Sequence, residues 1–219
     1  THMATSLNGV AVQVNAFNFP CWGALEKFAP ALLAGVPTII KPATQTAFLT
    51  EAMVRLVVQS GILPDGALQL VCGGVGDLFD HLGGQDLIGF TGSASTAAFL
   101  RAHPAVVERS ARFNAEADSL NAAILGRESG PGSTEFDLFV SEVVTEMTVK
   151  AGQKCTAIRR ALVPHQHLDA ATDAVATALG EVRVGDPADP ETRMGALVST
   201  VQRREVLDAI STLVGSTTV

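Results

Sequence analysis

The residues VAVQVNAFNFP at positions 10–20 decide the fold of this chain. Val10 to Val14 form a short apolar run, which ends in the polar and turn-forming residues Asn15 to Pro20. A run bounded in this way is typical of a buried strand that enters a loop. The next segment, Leu25 to Leu33, is helical, and Gly35 is a suitable residue to end it. The stretch therefore predicts a strand, a loop and a helix.

Strand and helix continue to alternate outward from this stretch as far as residue 118. A β-branched segment, Thr38 to Ile40, predicts a second strand, which Lys41 and Pro42 end. Strands that alternate with helices pair in parallel through right-handed crossovers. We therefore predict an α/β fold with a parallel sheet and expect a ligand at the carboxyl ends of its strands. The further predicted strands cover 67–72 and 86–90, and the further predicted helices cover 46–60, 77–82 and 95–102.

The pattern restarts after residue 118, which predicts two domains, 1–118 and 119–219. In the second domain, residues 135–150 carry apolar side chains at helical spacing. No closing element is recognisable in residues 211–219. The other predicted segments of this half are an apolar run at 122–125, a loop at 126–134, strands at 161–163 and 182–184, and a helix at 168–179.

Charge and cysteine content limit the classes of function. The formal net charge of −7 argues against nucleic acid and anionic membranes as partners. No apolar run approaches the roughly 20 residues that span a bilayer. Three cysteines, an odd number, do not form a disulfide framework, so we expect reduced thiols and a cytoplasmic location. No metal site is predicted.

Cys155 is the strongest candidate for a nucleophile. It lies in AGQKCT, residues 151–156, after a predicted helix and before a predicted strand. Its thiol is therefore expected on a loop, and the cations Lys154, Arg159 and Arg160 nearby favour a thiolate. The alternative is a small buried side chain, which is the commoner role of a cysteine.

Three polar residues near predicted strand ends are further candidates. Glu116 follows a predicted strand among small residues; it is a general base if partly desolvated, or else a solvated loop residue. The amide of Asn18 can donate to an oxyanion, or it forms an Asx turn. Lys41 can bind a phosphate or a ribose hydroxyl, or it is a surface lysine.

Two glycine-rich turns, at 73–76 and 90–93, do not match the glycine pattern of dinucleotide-binding loops. Gly92 and Ser93 nevertheless precede a predicted helix, and the backbone N–H groups at a helix start can face a phosphate. By themselves these turns are weak signals for a cofactor.

Five segments together resemble the aldehyde dehydrogenase family. They are NFP at 18–20, KPA at 41–43, FTGS at 90–93, Glu116, and GQKC at 152–155. They occur in the family's order, and the resemblance covers nearly the whole chain. The longer segments NAFNFPCWG, EADSLN and KAGQKCTAIRR are similar to semialdehyde dehydrogenases that act on CoA thioesters in aerobic aromatic degradation, through phenylacetate or benzoyl-CoA.

The resemblance implies most of a Rossmann-like cofactor domain in 1–118, incomplete at its N-terminus, and part of the family's catalytic α/β domain in 119–219, incomplete at its C-terminus. It implies that Cys155 attacks the aldehyde, that Asn18 and the Cys155 N–H hold the oxyanion, and that hydride passes to C4 of the nicotinamide. Glu116 would then activate the water that hydrolyses the thioester. NADP+ is the expected cofactor, with NAD+ possible. The implied cofactor contacts are Ala16, Phe17, Lys41, Ala43, Thr44, Phe90, Gly92, Ser93 and Glu116.

The chain departs from the family pattern in two ways. The usual Glu-Leu-Gly-Gly is EADS at 116–119, which the closer subgroup shares. Family members are also longer, so we expect an internal fragment that lacks the downstream Glu for the nicotinamide ribose. The resemblance implies an aldehyde substrate, CoA-linked in the closer subgroup, and a homo-oligomer in the full-length form. The alternative is a folded remnant or a subunit-interaction fragment without catalysis.

Overall fold

A computed structural model describes residues 2–3, 5 and 7–216 of the chain. The chain divides into two compact units, Thr1–Asp118 and Ser119–Val219, and each is described by itself. Within the described residues, no helix is both long and apolar enough to cross a membrane.

The first unit is built on a five-stranded parallel sheet with the strand order β3-β2-β1-β4-β5. The central strand β1 pairs with β2 on one side and with β4 on the other, so the direction of chain progression reverses there. Open parallel sheets bind ligands in the crevice beyond the strand ends at such a reversal. The strands are β1 (Ala11–Val14), β2 (Thr38–Lys41), β3 (Leu68–Leu70), β4 (Leu87–Gly92) and β5 (Arg112–Ala117).

Helices cover both faces of this sheet. On one face, Val12 and Ile88 pack in a core cluster that includes residues of α3 and α4. On the other face, Ile40 packs against Phe28 of α1 and Val54 of α2. Successive residues of a strand point to opposite faces, so both faces need apolar cover. The helices are α1 (Trp22–Leu33), α2 (Ala47–Gln59), α3 (Ala94–Arg101) and α4 (Pro104–Val107), with 3-10 turns at Thr44–Thr46 and Leu78–His81.

A glycine in the sheet makes room for a buried amide. Gln13 is 2% exposed in the central strand, and it pairs in register with Gly89 of β4. A Cβ atom at position 89 would lie 2.0 Å from Oε1 of Gln13. Any larger residue at position 89 would therefore displace the Gln13 side chain.

The second unit packs helices on a two-stranded parallel sheet. Its core joins Phe136, Phe139 and Val143 of α5 to Ala171 of α6 and to Leu125. The hydroxyl of Ser133 accepts a hydrogen bond from the Phe136 N–H at 3.2 Å, which caps the start of α5. The elements are β6 (Ala122–Ile124), α5 (Thr134–Thr148), β7 (Arg160–Leu162), α6 (Leu168–Gly180) and α7 (Thr200–Ser216), with 3-10 turns at Val149–Gly152 and His165–His167.

The predicted α/β fold with a parallel sheet is confirmed, but the strand predicted at 182–184 is wrong. Only Val184 forms an isolated bridge, with Met194. The carboxylates of Asp186 and Asp189 accept hydrogen bonds from main-chain N–H groups two residues further on, which turns the chain immediately after the bridge.

The last helix was not evident in the sequence. Residues 211–216 continue α7, and 217–219 lie outside the described residues. Ser, Thr, Val and Gly dominate this end of the chain, and all of them are weak helix formers, so propensity alone does not indicate the helix.

Candidate active site

The candidate residues of the first unit lie at one edge of its sheet. Lys41 ends β2 and Gly92 ends β4, while the loop that carries Asn18 follows β1. In the register of the sheet, Val14 pairs with Lys41 of β2 and with Phe90 of β4. Glu116 of β5 pairs with Thr91 of β4. Parallel strands therefore bring all of these residues to the carboxyl edge of the sheet.

Two hydroxyl groups of the α2 region hold the loop that carries Asn18. Thr46 donates to the Phe17 carbonyl oxygen at 3.0 Å, and the buried Thr50 donates to the Pro20 carbonyl oxygen at 3.0 Å. Asn18 is partly buried between these two anchor points. A loop held at both ends keeps the main chain at Asn18 in one position, and an oxyanion donor needs such a fixed support.

Lys41 and Thr44 form the polar end of β2. Lys41 is partly buried, and desolvation lowers its pKa below 10.5, an effect that the negative charge of a Cys72 thiolate partly opposes. Thr44 is exposed at the start of a 3-10 turn, after Ala43. The sequence has no acidic residue from Thr38 to Thr50. This end of the sheet therefore presents a cation and a hydroxyl to a ligand.

Ser93 begins the helix that follows β4. Its hydroxyl accepts from the Thr96 N–H at 3.3 Å and donates to the Thr96 hydroxyl at 2.9 Å, so it caps α3. The predicted turn at 90–93 begins too early, because β4 continues through Gly92. Phe90 is 4% exposed in the core, which leaves mainly its backbone available to a ligand. The first-turn N–H groups of α3 lie at the edge where a phosphate would bind.

Glu116 lies within β5 and not after it. Exposure alternates along this edge strand: Arg112, Asn114 and Glu116 are exposed, while the residues between them are partly buried. The predicted position after a strand is therefore wrong, and of the two alternatives for Glu116 the structure gives the solvated side chain, on a strand and not on a loop. The carboxylate is accessible to water, which its proposed role as a base also requires.

Cys155 lies on a strained turn of the second unit. The thiol is free and partly buried, and it follows α5 and the 3-10 turn Val149–Gly152. Lys150, Ala151 and Gly152 have positive φ angles of 54°, 53° and 70°. Left-handed backbone at two residues with side chains is unusual and costs conformational energy, so it needs support from elsewhere.

That support comes from side chains that hold the main chain next to the thiol. The Ser119 hydroxyl and the Asn121 amide both donate to the Cys155 carbonyl oxygen, the latter at 2.6 Å. Asn121 also donates to the Ala157 carbonyl oxygen at 3.2 Å. Neither residue was selected from the sequence as a functional residue. The only signal was the serine at 119, where the family usually has glycine.

The cations expected to favour a thiolate instead have partners of their own. Lys154 Nζ lies 2.7 Å from Oε1 of Glu146, and both side chains are mostly buried. Arg159 donates to the carbonyl oxygens of Gly152 at 3.3 Å and of Lys154 at 2.9 Å. The expectation is therefore corrected: Lys154 and Arg159 stabilise the turn that carries Cys155.

Two other cations lie close to the same turn in sequence. Arg160 donates to the Leu120 carbonyl oxygen at 2.8 Å. Burial, and then repulsion from Lys154, lowers the pKa of Lys150. With Arg159 they make a positive segment in a chain of net negative charge, whereas Glu146 balances the charge of Lys154.

Asn15 is a candidate that the sequence analysis missed. It follows β1 directly and is 4% exposed, and within the described part of the chain neither polar atom of its amide has a hydrogen-bond partner. Among the described residues, the hydroxyl of Thr91 on the neighbouring strand is also buried without a hydrogen-bond partner. Buried amides normally have partners, so Asn15 is a candidate ligand contact. A polar residue at the end of an apolar run was the available signal.

These features suit a dinucleotide at the edge of the first unit. Lys41 supplies a positive charge, Thr44 a hydroxyl, Asn15 a buried amide, and α3 a capped helix start. The strand order places them around the reversal between β1 and β4, where open parallel sheets bind nucleotides.

Comparison with known proteins gives one family. The model of the aldehyde dehydrogenase family matches residues 4–217. The 3,4-dehydroadipyl-CoA semialdehyde dehydrogenase of Aromatoleum evansii is 55% identical over 212 residues, which cover 97% of this chain and 41% of that protein. The aminoacetaldehyde dehydrogenase of Pseudomonas aeruginosa is 31% identical, over 87% of this chain and 38% of that protein.

Solved structures give the same result. Betaine aldehyde dehydrogenase from Staphylococcus aureus in complex with NAD+ superposes with a TM-score of 0.82 at 26% identity, over 93% of this chain and 39% of that one. A mutant of proline utilization A from Bradyrhizobium japonicum gives a TM-score of 0.82 at 29% identity, over 93% of this chain and 21% of that one. The chain spans about two fifths of the length of the curated relatives it matches.

Proposed function

Because the chain belongs to the aldehyde dehydrogenase family, we propose that it supplies the nucleophile and part of the cofactor site for oxidation of an aldehyde to a carboxylic acid. The family predicted from the sequence motifs is confirmed. The observation that carries the proposal is Cys155, a partly buried free thiol on a turn whose main chain is held by Ser119, Asn121 and Arg159. A fixed thiol suits attack on a carbonyl carbon.

The proposed chemistry assigns one step to each residue. The Cys155 thiolate attacks the aldehyde carbon, a C–S bond forms, and the carbonyl π electrons move to oxygen. The Cys155 N–H and the Asn18 amide donate to that oxyanion. A bound dinucleotide would supply the acceptor for the hydride that this carbon loses. Glu116 then takes a proton from a water molecule, which attacks the resulting thioester and releases the acid and the Cys155 thiolate.

We propose NADP+ as the preferred cofactor. A carboxylate near the end of the second strand usually binds the ribose 2′-hydroxyl of NAD+, whereas a cation accommodates the 2′-phosphate of NADP+. In this chain the end of β2 carries Lys41 and Thr44 and no carboxylate. Ser93 and the backbone of Gly92 are proposed to lie near the pyrophosphate, and Ala16, Phe17, Ala43 and Phe90 to line the rest of the site.

The proposed substrate is a semialdehyde attached to coenzyme A. The support is the name of the Aromatoleum evansii relative at 55% identity, and the cations Lys150, Arg159 and Arg160, which lie near Cys155 in sequence and suit a phosphate-bearing substrate. We also propose a cytoplasmic location, since all three cysteines are free thiols. The full-length form is proposed to be a homo-oligomer.

The proposal is tested by rapid mixing of the protein with NADP+ and a CoA-linked semialdehyde. We expect a rapid burst of NADPH, close to one equivalent per Cys155, and no burst in Cys155→Ser. Cys21→Ser, a matched loss of a thiol, should keep the burst. A folded protein that binds neither NADP+ nor the aldehyde would instead support a non-catalytic remnant or a subunit-interaction fragment.

A further inference from the structure

We infer that Arg159 is a positioning residue that sets the oxyanion-binding N–H of Cys155. The inference rests on the proposed function, in which that N–H stabilises the negative oxygen formed when the thiolate attacks. Arg159 does not contact the reacting atoms in this account. It acts through the main chain of the residue before the nucleophile.

Arg159 is linked to the Cys155 N–H through one peptide unit. Nη2 of Arg159 donates to the Lys154 carbonyl oxygen at 2.9 Å. That carbonyl and the Cys155 N–H belong to the same peptide unit, which is planar and trans. In a trans peptide the C=O and N–H bonds point in opposite directions. A guanidinium that fixes the oxygen therefore also fixes the direction of the Cys155 N–H.

Arg159 also closes the turn and is itself anchored. Its Nη1 donates to the Gly152 carbonyl oxygen at 3.3 Å, so one planar fork holds two carbonyls of the strained turn. The Arg159 N–H donates to the Asn121 carbonyl oxygen at 2.9 Å. Asn121 is also the residue whose amide binds the Cys155 carbonyl oxygen. The peptide units before and after Cys155 are thus held from one anchor.

The positive charge of Arg159 adds an electrostatic effect. A hydrogen bond from a cation to a carbonyl is stronger than a neutral one, and it polarises the peptide unit that accepts it. The N–H at the other end of the same unit becomes a better donor to a negative oxygen. The neighbouring cations do not take this role: Lys154 pairs with Glu146, and Arg160 donates to the Leu120 carbonyl oxygen.

Two reactions of the same thiol separate this role from a general structural one. Acylation of Cys155 by p-nitrophenyl acetate passes through a tetrahedral oxyanion: the sulfur attacks the ester carbon, and p-nitrophenolate leaves with its electron pair. Alkylation by iodoacetamide displaces iodide directly and forms no oxyanion. Both reactions are followed at position 155 by mass spectrometry of the peptide that contains it.

Arg159→Gln should slow acylation about tenfold or more while alkylation changes less than about threefold. Arg159→Lys, which keeps the charge without the planar fork, should recover part of the acylation rate. Arg127→Gln removes an exposed arginine of the same unit and should change neither rate.

Three results would overturn the inference: an Arg159→Gln protein with normal acylation, equal losses in both reactions, or a wild-type Cys155 that is alkylated but not acylated. The proposed function is judged separately. If Arg159→Gln slows acylation selectively but the wild type forms no NADPH from aldehyde and NADP+, the role of Arg159 stands and the dehydrogenase proposal fails.

Discussion

Nδ2 of Asn121 donates to the main-chain carbonyl oxygen of Cys155 at 2.6 Å, across 34 residues of sequence. The hydroxyl of Ser119 donates to the same oxygen. The first residues of the second unit are thereby joined directly to the proposed nucleophile. One carbonyl oxygen with two side-chain donors fixes the backbone on the carboxyl side of Cys155.

The shared acceptor predicts a non-additive pair of substitutions. In Ser119→Ala or Asn121→Leu the Cys155 carbonyl keeps one donor, so each change should lower the free energy of unfolding by about 0.5–1.5 kcal/mol. The double variant leaves the oxygen with neither donor and should lose more than the sum. Urea denaturation of the four proteins measures the difference. Strict additivity would contradict a shared acceptor, and Ser141→Ala, exposed on α5, is the control for loss of a hydroxyl.

The ion pair between Glu146 and Lys154 predicts an asymmetric response. Both side chains are mostly buried, so Glu146→Gln leaves a cation without its partner and should lower the free energy of unfolding by about 2–4 kcal/mol. Changing both residues to Met removes both charges and should lower it less. Glu142→Gln, exposed on the same helix, is expected to stay within about 0.5 kcal/mol. If the double variant is no more stable than Glu146→Gln, the unpaired charge of Lys154 is not the cause of the loss, and the prediction is contradicted.

The sequence predicts the central strands of the first unit well. Residues 10–14 and 38–40 read as short, mostly apolar runs because strands covered by helices on both faces need mainly apolar residues. Glu116 was misplaced because β5, at the edge of the sheet, alternates polar and apolar residues and has no such run. Val184 was misplaced because an apolar triplet does not reveal whether a partner strand exists.

For the site, residue type and order indicated Cys155 but not its supports. Ser119, Asn121 and Arg159 act through hydrogen bonds to main-chain oxygens, and any polar side chain has that ability. Only the fold decides which oxygen each one reaches. A local pattern also cannot show that Lys154 pairs with a residue on the preceding helix.

The lowered pKa of Lys41 predicts two effects of opposite sign as pH rises. The unfolded chain keeps the Lys41 proton up to about pH 10.5, whereas the folded protein releases it earlier. Between these values the unfolded state binds more protons, so the Lys41 contribution to the free energy of unfolding increases with pH. The contribution of Lys41 to NADP+ affinity should decrease over the same range, because the proposed contact with the phosphate needs the ammonium.

The effect on affinity is measured as the ratio of the NADP+ dissociation constants of Lys41→Met and wild type, between about pH 7 and pH 10. The ratio should fall toward one as pH rises. Lys41→Arg keeps its charge across this range, so the ratio of the NADP+ dissociation constants of Lys41→Met and Lys41→Arg should stay constant. A wild-type ratio that does not change with pH would exclude titration of Lys41 in the cofactor site.

Thr44 predicts a change of cofactor preference. A carboxylate in Thr44→Glu should repel the 2′-phosphate of NADP+ and accept a hydrogen bond from the 2′-hydroxyl of NAD+. We expect NADP+ to bind about tenfold or more weakly, while NAD+ binds as well as before or better. Fluorescence titration with both nucleotides gives the two dissociation constants. Thr44→Gln controls for size without charge, and equal weakening of both nucleotides in Thr44→Glu would place this residue away from the ribose.

The central claim is that Cys155 carries the acyl group during aldehyde oxidation. It is tested most directly by quenching Glu116→Gln in a single turnover with aldehyde and NADP+, followed by peptide mass spectrometry. We predict that the peptide with Cys155 gains the mass of the acyl group in step with NADPH formation, and that the adduct persists because its hydrolysis lacks a base. NADPH formation with an unmodified Cys155, or with the acyl group on Cys21 or Cys72, would contradict the account.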